Sequence, residues 1–248
     1  MAKNENGNEI GTGEETRKYL DRIFAWTDSM LEYPGFQEWQ RERLKRTLFF
    51  DEFDHDDDFV DFQADPSTTK SQDFCIAYLE LISSAQAIRD CEYYFRRYPF
   101  DDLPITHHDH ISYICDMFFS RIYQFREKLK RCLNIAKQVT SLKFDAGKVI
   151  KAFDRTFDAE LRERNSVHHH TRYDDIEIQK LSLANMMAFA RDDKPWKWYR
   201  QRTYRQISRD WVKRVQSRAR LIYQFLEEVS RALDTCSDFL PEKRRKAT

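Results

Sequence analysis

Between Thr106 and Thr140 seven apolar residues recur at steps of three and four: Ile111, Ile114, Phe118, Ile122, Phe125, Leu129 and Leu133. With 3.6 residues per turn, that spacing puts all seven on one side of a helix. A stripe so long cannot bury itself, so it demands partner helices of similar length. Only five Gly and six Pro interrupt the 248 residues, which leaves few places to turn and favours long segments. Charged residues, 34% of the chain, solvate the outer faces, while 41% hydrophobic residues, with nineteen Phe and twelve Tyr, suffice for a core. No stretch alternates with the period of two that a strand requires. The expected fold is all-α, an antiparallel helical bundle.

The other segments follow the same pattern. Residues 1–13 are polar and read as a disordered tail. Glu14 to Leu31 predicts a helix with Leu20, Ile23, Phe24 and Leu31 as its apolar positions, broken by Pro34-Gly35. Phe36 to Phe50 predicts a second helix, and Asp51 to Asp65 an acidic loop. Ser71 is a candidate cap for a helix to Tyr98, striped by Phe74, Tyr78, Leu81, Ala85 and Ile88. Another helix is expected from about Asp145, where Val149, Phe153, Phe157 and Leu161 repeat every four residues and lead into Arg164 and Asn165. Asp174 is placed to cap a helix through Ala190. Pro195 suits the first turn of a final helix reaching Leu240. That last helix would span about 60 Å at 1.5 Å per residue. A kink, or an end packed on another subunit, is therefore expected. In domains, this gives the 1–13 tail, a 14–65 helical extension with its acidic loop, a 66–240 helical domain and a 241–248 basic tail.

No run of 18 apolar residues suggests a membrane span, and the N-terminus lacks the apolar run of a signal peptide. Five dispersed cysteines without a Cys-x-x-Cys pair signal neither a disulfide framework nor a zinc site; a reduced, cytoplasmic setting is expected. The net charge of zero hides an asymmetry. Residues 1–65 carry −9, whereas residues 194–220 hold ten Lys/Arg against Asp210 alone, or +9. A local field of that size can steer a polyanion despite a neutral whole.

Chemically capable groups concentrate at Leu161-Arg162-Glu163-Arg164-Asn165-Ser166-Val167-His168-His169-His170. Imidazole exchanges protons near neutral pH. Guanidinium stays charged and suits phosphate. Arg164, Asn165 and a histidine together form a plausible set for cleaving a phosphodiester. The structural alternative is a helix end capped by cationic histidines, or a solvated turn. In a continuous helix His168 is the i+4 neighbour of Arg164, whereas a helix ending near Val167 would let His169 swing to that side.

Long paired helices leading to Arg164-Asn165 and then His169 resemble the HEPN superfamily. Its signature is an arginine, usually followed by Asn, Asp or His, with a histidine after four to six intervening residues. Four residues separate Arg164 from His169 and five separate it from His170. The resemblance covers roughly Ser71 to Ala190. It implies a HEPN-like domain and a metal-independent endoribonuclease, often a homodimer with two motifs facing across the interface. It also implies a toxin–antitoxin or defence setting with an antitoxin or other regulatory protein as partner. Some members only bind RNA or a partner. In that register Arg164 stabilises phosphate charge, His169 handles protons and Asn165 orients, with His168 and His170 as auxiliaries. No cofactor and no metal are called for, since RNA supplies its own 2′-hydroxyl nucleophile.

In Lys194 to Arg220, cations including Arg200, Arg205, Arg209 and Lys213 alternate with Trp196, Trp198, Tyr199, Tyr204 and Trp211. This is either an RNA track or a basic face that docks on the acidic N-terminal region. Asp54 to Asp61 offers carboxylates for Mg²⁺ or Ca²⁺, but a solvated acidic loop is the simpler reading. Thr106-His107-His108-Asp109-His110 reads as an ordinary helix start, or as groups that support a site. Gly11-Thr12-Gly13 has no following P-loop lysine.

Overall fold

The computed structural model describes residues 11–48, 62, 64–99, 104–141, 145–169, 173–191 and 194–242; the side chains of residues 167–169 fall outside that description. The helices are α1 (Glu14–Met30), α2 (Phe36–Leu48), α3 (Pro66–Arg96), α4 (His107–Val139), α5 (Ala146–Thr156), α6 (Asp158–His169), α7 (Ile176–Arg191) and α8 (Lys194–Asp234). Among the described residues there is no strand, and no helix is long and apolar enough to cross a membrane. The fold is an all-α bundle. Of the predicted acidic loop at 51–65, residues 51–61 and 63 lie outside the described residues.

Three long helices form the centre. The contacts Glu80–Arg131, at 3.0 Å, and Tyr98–His107, stacked at 3.9 Å, run α3 antiparallel to α4. Tyr78–Ser230 and Phe95–Trp211 run it antiparallel to α8 as well, so α4 and α8 lie parallel. All seven residues of the α4 stripe are buried. Aromatic rings bind the layers: Phe95 stacks on Trp211, which also meets the edges of Phe118 and Phe119. Phe153 stacks between Phe125 and Phe157, at 5.4 and 4.6 Å, and fixes α5 to α4. The five cysteines are buried thiols, and burial pushes those of Cys75, Cys91 and Cys132 up to about 12.

Several boundaries differ from expectation. Asp65, not Ser71, caps α3: its carboxylate accepts from Ser67 N and Thr68 N, and Pro66 fills the first turn where no donor is needed. Ser71 is buried inside the helix. Asp175, not Asp174, caps α7 through Glu177 N and Ile178 N. The expected continuous helix from Asp145 is interrupted at Phe157 (φ −112°, ψ 21°), where its fully buried ring stacks on Phe153. In α1 the buried face is Thr16, Tyr19, Ile23, Ala25 and Met30, while Phe24 and Leu31 are exposed.

The N-terminal helix shares the main core. Tyr19 meets Tyr78 edge-on at 4.9 Å and its hydroxyl pairs with Ser237 at 2.7 Å. No side chain of its own caps α1. Instead Glu227 of α8 accepts from Glu15 N at 2.6 Å and from Thr16 Oγ1 at 2.8 Å. A Cβ at Gly13 would stand 2.5 Å from that carboxylate, so a larger residue there would push the flexible Glu227 side chain off the start of α1. Arg22 donates to Asp234 and to the carbonyls of Asp234, Ser237, Leu240 and Pro241, closing the C-terminal end of α8.

Candidate functional site

The stripe Phe153, Phe157, Glu160, Arg164 steps by four, three and four, and changes from apolar to charged as α6 leaves the core. Glu160 remains fully buried. One oxygen of its carboxylate accepts from Arg218 Nε at 2.9 Å and Arg214 Nη2 at 3.3 Å. The other oxygen is covered and has no partner among the described residues. The two arginines are themselves supported by rings: Arg214 lies 4.7 Å from the Trp211 centroid and 5.5 Å from that of Phe119, and Arg218 lies 5.9 Å from Phe157. Two cations on one buried anion leave a positive excess facing solvent, because both guanidinium side chains stay about one-third exposed.

Arg164 lies one turn beyond Glu160 on the same side of α6. Its guanidinium sits 3.9 Å over the ring of Tyr123 on α4, and Nη1 donates to Asn165 Oδ1 at 3.2 Å. The ring removes freedom that the long side chain would otherwise have, while the group remains partly open to solvent. Asn165 and Ser166 are exposed. His168 and His169 belong to the last turn of α6 by backbone, and His170 lies outside the described residues. Just after the motif the chain is tied back to the bundle. Tyr173 N donates to Asp116 Oδ1 at 3.2 Å, its hydroxyl donates to Asp175 Oδ2 at 3.1 Å, and its ring meets Trp211 edge-on. Burial first, and then Asp175, push the Tyr173 phenol up, so it stays a hydrogen-bond donor.

Sequence reasoning missed Glu160, Arg214, Arg218, Tyr123 and Tyr173 as neighbours of the motif. A signal for Glu160 was present, because a carboxylate continues the phenylalanine stripe at helical spacing. Nothing local marks which two of the ten cations in 194–220 turn inward to it.

The remaining candidates lie elsewhere. Arg205, Arg209 and Lys213 are exposed on α8 and make no ion pair among the described residues. Steps of four align them, and at 3.6 residues per turn they sit about 160° around the axis from Arg214 and Arg218. They therefore face away from α6. Arg200 is half-buried, and its covered Nε has no acceptor among the described residues. Helix α1 docks on the other half of α8 and on the segment after it, at Glu227 to Pro241. The second histidine group starts α4 as a packed cluster. Thr106 and Asp109 form a capping box, His107 stacks on Tyr98, and His110 Nδ1 lies 3.1 Å from the buried Tyr204 hydroxyl. Burial lowers His110 to about 4. Thirteen residues of α4 separate it from Tyr123, or about 20 Å. No metal-holding cluster of His, Cys, Asp or Glu occurs among the described residues, and Asp54 to Asp61 lie outside them.

Compared with protein-family profiles, characterised proteins and solved structures, the chain matches none.

Proposed function

We propose that the chain is a HEPN-like, metal-independent endoribonuclease of a bacterial toxin or defence-type system, with its site completed across a homodimer interface. The observation that supports this best is Arg164: a partly open guanidinium steadied on Tyr123, one turn from the Glu160–Arg214–Arg218 cluster and one turn from the histidines. In this reading an imidazole of the motif, His169 by family register with His168 or His170 as auxiliaries, takes the 2′-hydroxyl proton. The 2′-oxygen attacks the adjacent phosphorus, and the bond to the 5′-oxygen breaks as a second imidazole, from the partner's motif, protonates it. Arg164 offsets the charge of the pentacoordinate phosphorus, Asn165 orients, and the exposed Arg205, Arg209 and Lys213 raise the local RNA concentration. The products are a 2′,3′-cyclic phosphate and a 5′-hydroxyl.

The test is cleavage of end-labelled RNA by the full chain in EDTA, run beside sedimentation at micromolar concentration. The expectation is cyclic-phosphate ends from a dimer, with turnover reduced at least about a hundredfold in Arg164→Ala and His169→Ala. Activity lost to EDTA and restored by Mg²⁺, or a clean monomer with no turnover, overturns it. A second reading is favoured by the exposed apolar face of α7: a catalytically inactive helical module that binds RNA or a protein such as an antitoxin.

A further inference from the structure

The outer end of the α7–α8 hairpin extends beyond the other long helices. With 41 residues, α8 is about 61 Å long, whereas α3 and α4, with 31 and 33, span about 46 and 50 Å. The excess lies at its start. The first buried residue of α8 is Tyr204, ten positions in. There α7 packs against α8, with Ile178, Leu181, Ala184 and Ala188 as its buried side. The opposite side of α7 is also apolar. Ile176, Leu183, Met186 and Phe189 follow steps of seven, three and three, and are 64, 54, 66 and 91% exposed. Around the hairpin edge this face continues into a groove of about 620 Å³ whose floor is Leu183, Pro195, Trp196, Trp198 and Tyr199. Trp198 itself is 59% exposed. Apolar surface this extensive on one edge marks an interaction site rather than ordinary exposure.

Charge decides what fits. Lys180 and Lys194 line the groove, and Lys180 also pairs with Glu177 at 2.6 Å. Residues 176–205 as a whole hold seven Lys/Arg against three Asp/Glu. A second copy of this hairpin would bring like excess against like excess at close range, which disfavours self-association there. A nucleic acid would satisfy the cations, but Leu183, Met186 and Phe189 offer it neither hydrogen bonds nor a continuous stacking surface. A membrane would take the apolar side chains, but the groove is concave where an inserted edge needs to be convex. A concave apolar floor with a basic rim matches a helix that presents leucine-like or aromatic anchors on one side and carboxylates along its flanks.

The geometry points to this groove as the docking site of an acidic amphipathic helix from another protein. The site is separate from the α6 motif and does not depend on the ribonuclease reading. The experiment uses the full chain and a synthetic peptide of about 20 residues, with leucines at i, i+3, i+4 and i+7 and glutamates between them. Binding is read from tryptophan emission. Control titrations use the same peptide with lysines for glutamates, phosphatidylglycerol vesicles and polyuridine. The expected result is saturable binding of the acidic peptide with a blue shift, weakened at least about tenfold in the double variant Leu183→Glu, Met186→Glu. Both substituted positions are exposed, so an unchanged melting temperature confirms that the variant is folded. The shift should be reduced in Trp198→Phe. Absence of saturable binding, equal binding of the lysine peptide, equal affinity in a folded double variant, or binding of vesicles or polyuridine in place of the acidic peptide overturns the proposal.

Discussion

Replacing Glu160 by Gln tests whether the buried carboxylate holds α6 against α8. The substitution keeps the shape and removes the charge that Arg214 and Arg218 share at 3.3 and 2.9 Å. Breaking a fully buried pair typically costs about 3–5 kcal/mol. Here water reaches about a third of each arginine side chain, so rehydration offsets part of that cost and the expected loss is about 2 kcal/mol. For a domain of this size that corresponds to a fall in Tm of about 4–8 °C. Replacing all three groups together, as Glu160→Met, Arg214→Met and Arg218→Met, should recover most of the loss. The desolvation cost then disappears, and the methionines keep contact with Trp211 and Phe157. Thermal melts followed by circular dichroism read both variants at one protein concentration. An unchanged Tm in Glu160→Gln would refute the reasoning. So would a triple variant less stable than the single one, which would mean that the arginines contribute through packing rather than through the pair.

Three further outcomes follow from the same geometry. Burial lowers His110 to about 4, below the value near 6.5 of the unfolded chain, so protonation favours unfolding: this stabilisation is complete above pH 6.5 and about 3 kcal/mol is lost as pH falls to 4. Urea denaturation between pH 4 and 7 should show that slope, and His110→Phe should flatten it. Arg22→Ala removes five hydrogen bonds at the α1–α8 junction and should cost about 2–3 kcal/mol, with limited proteolysis appearing first within α1; unchanged proteolysis would show that the core contacts of Tyr19 and Ile23 suffice. Exchanging Arg205, Arg209 and Lys213 for Glu should weaken RNA binding for all sequences and reduce its salt dependence while sparing turnover at saturating RNA; unchanged affinity would remove them from the RNA surface.

How far the site could be read in advance follows from distance along the chain. Arg164, Asn165 and the histidines lie within one or two turns, so their proximity is a local property of a helix. Tyr123 and Arg218 lie 41 and 54 positions from Arg164, and no spacing rule connects them. The charge separation between the N-terminal region and the 194–220 segment was plain in the sequence. Its meaning was not, because Asp51 to Asp61, which carry most of the acidic excess, lie outside the described residues, and the buried anion that two cations of the basic helix share is Glu160.

The sequence by itself determined that the chain is helical and which side of the long helices is buried. The reason is that apolar spacing at three and four is read within one helix, as in the fully buried Ile111 to Leu133 stripe. Caps needing distant groups were beyond it: α1 is capped by Glu227, more than 200 residues away. Only the tertiary structure decided which cations turn inward, that the surplus length of α8 is lined by α7, and that this hairpin leaves a second apolar face uncovered. Each depends on the relative placement of whole helices, and long-range packing and desolvation set that placement where local periodicity carries no information.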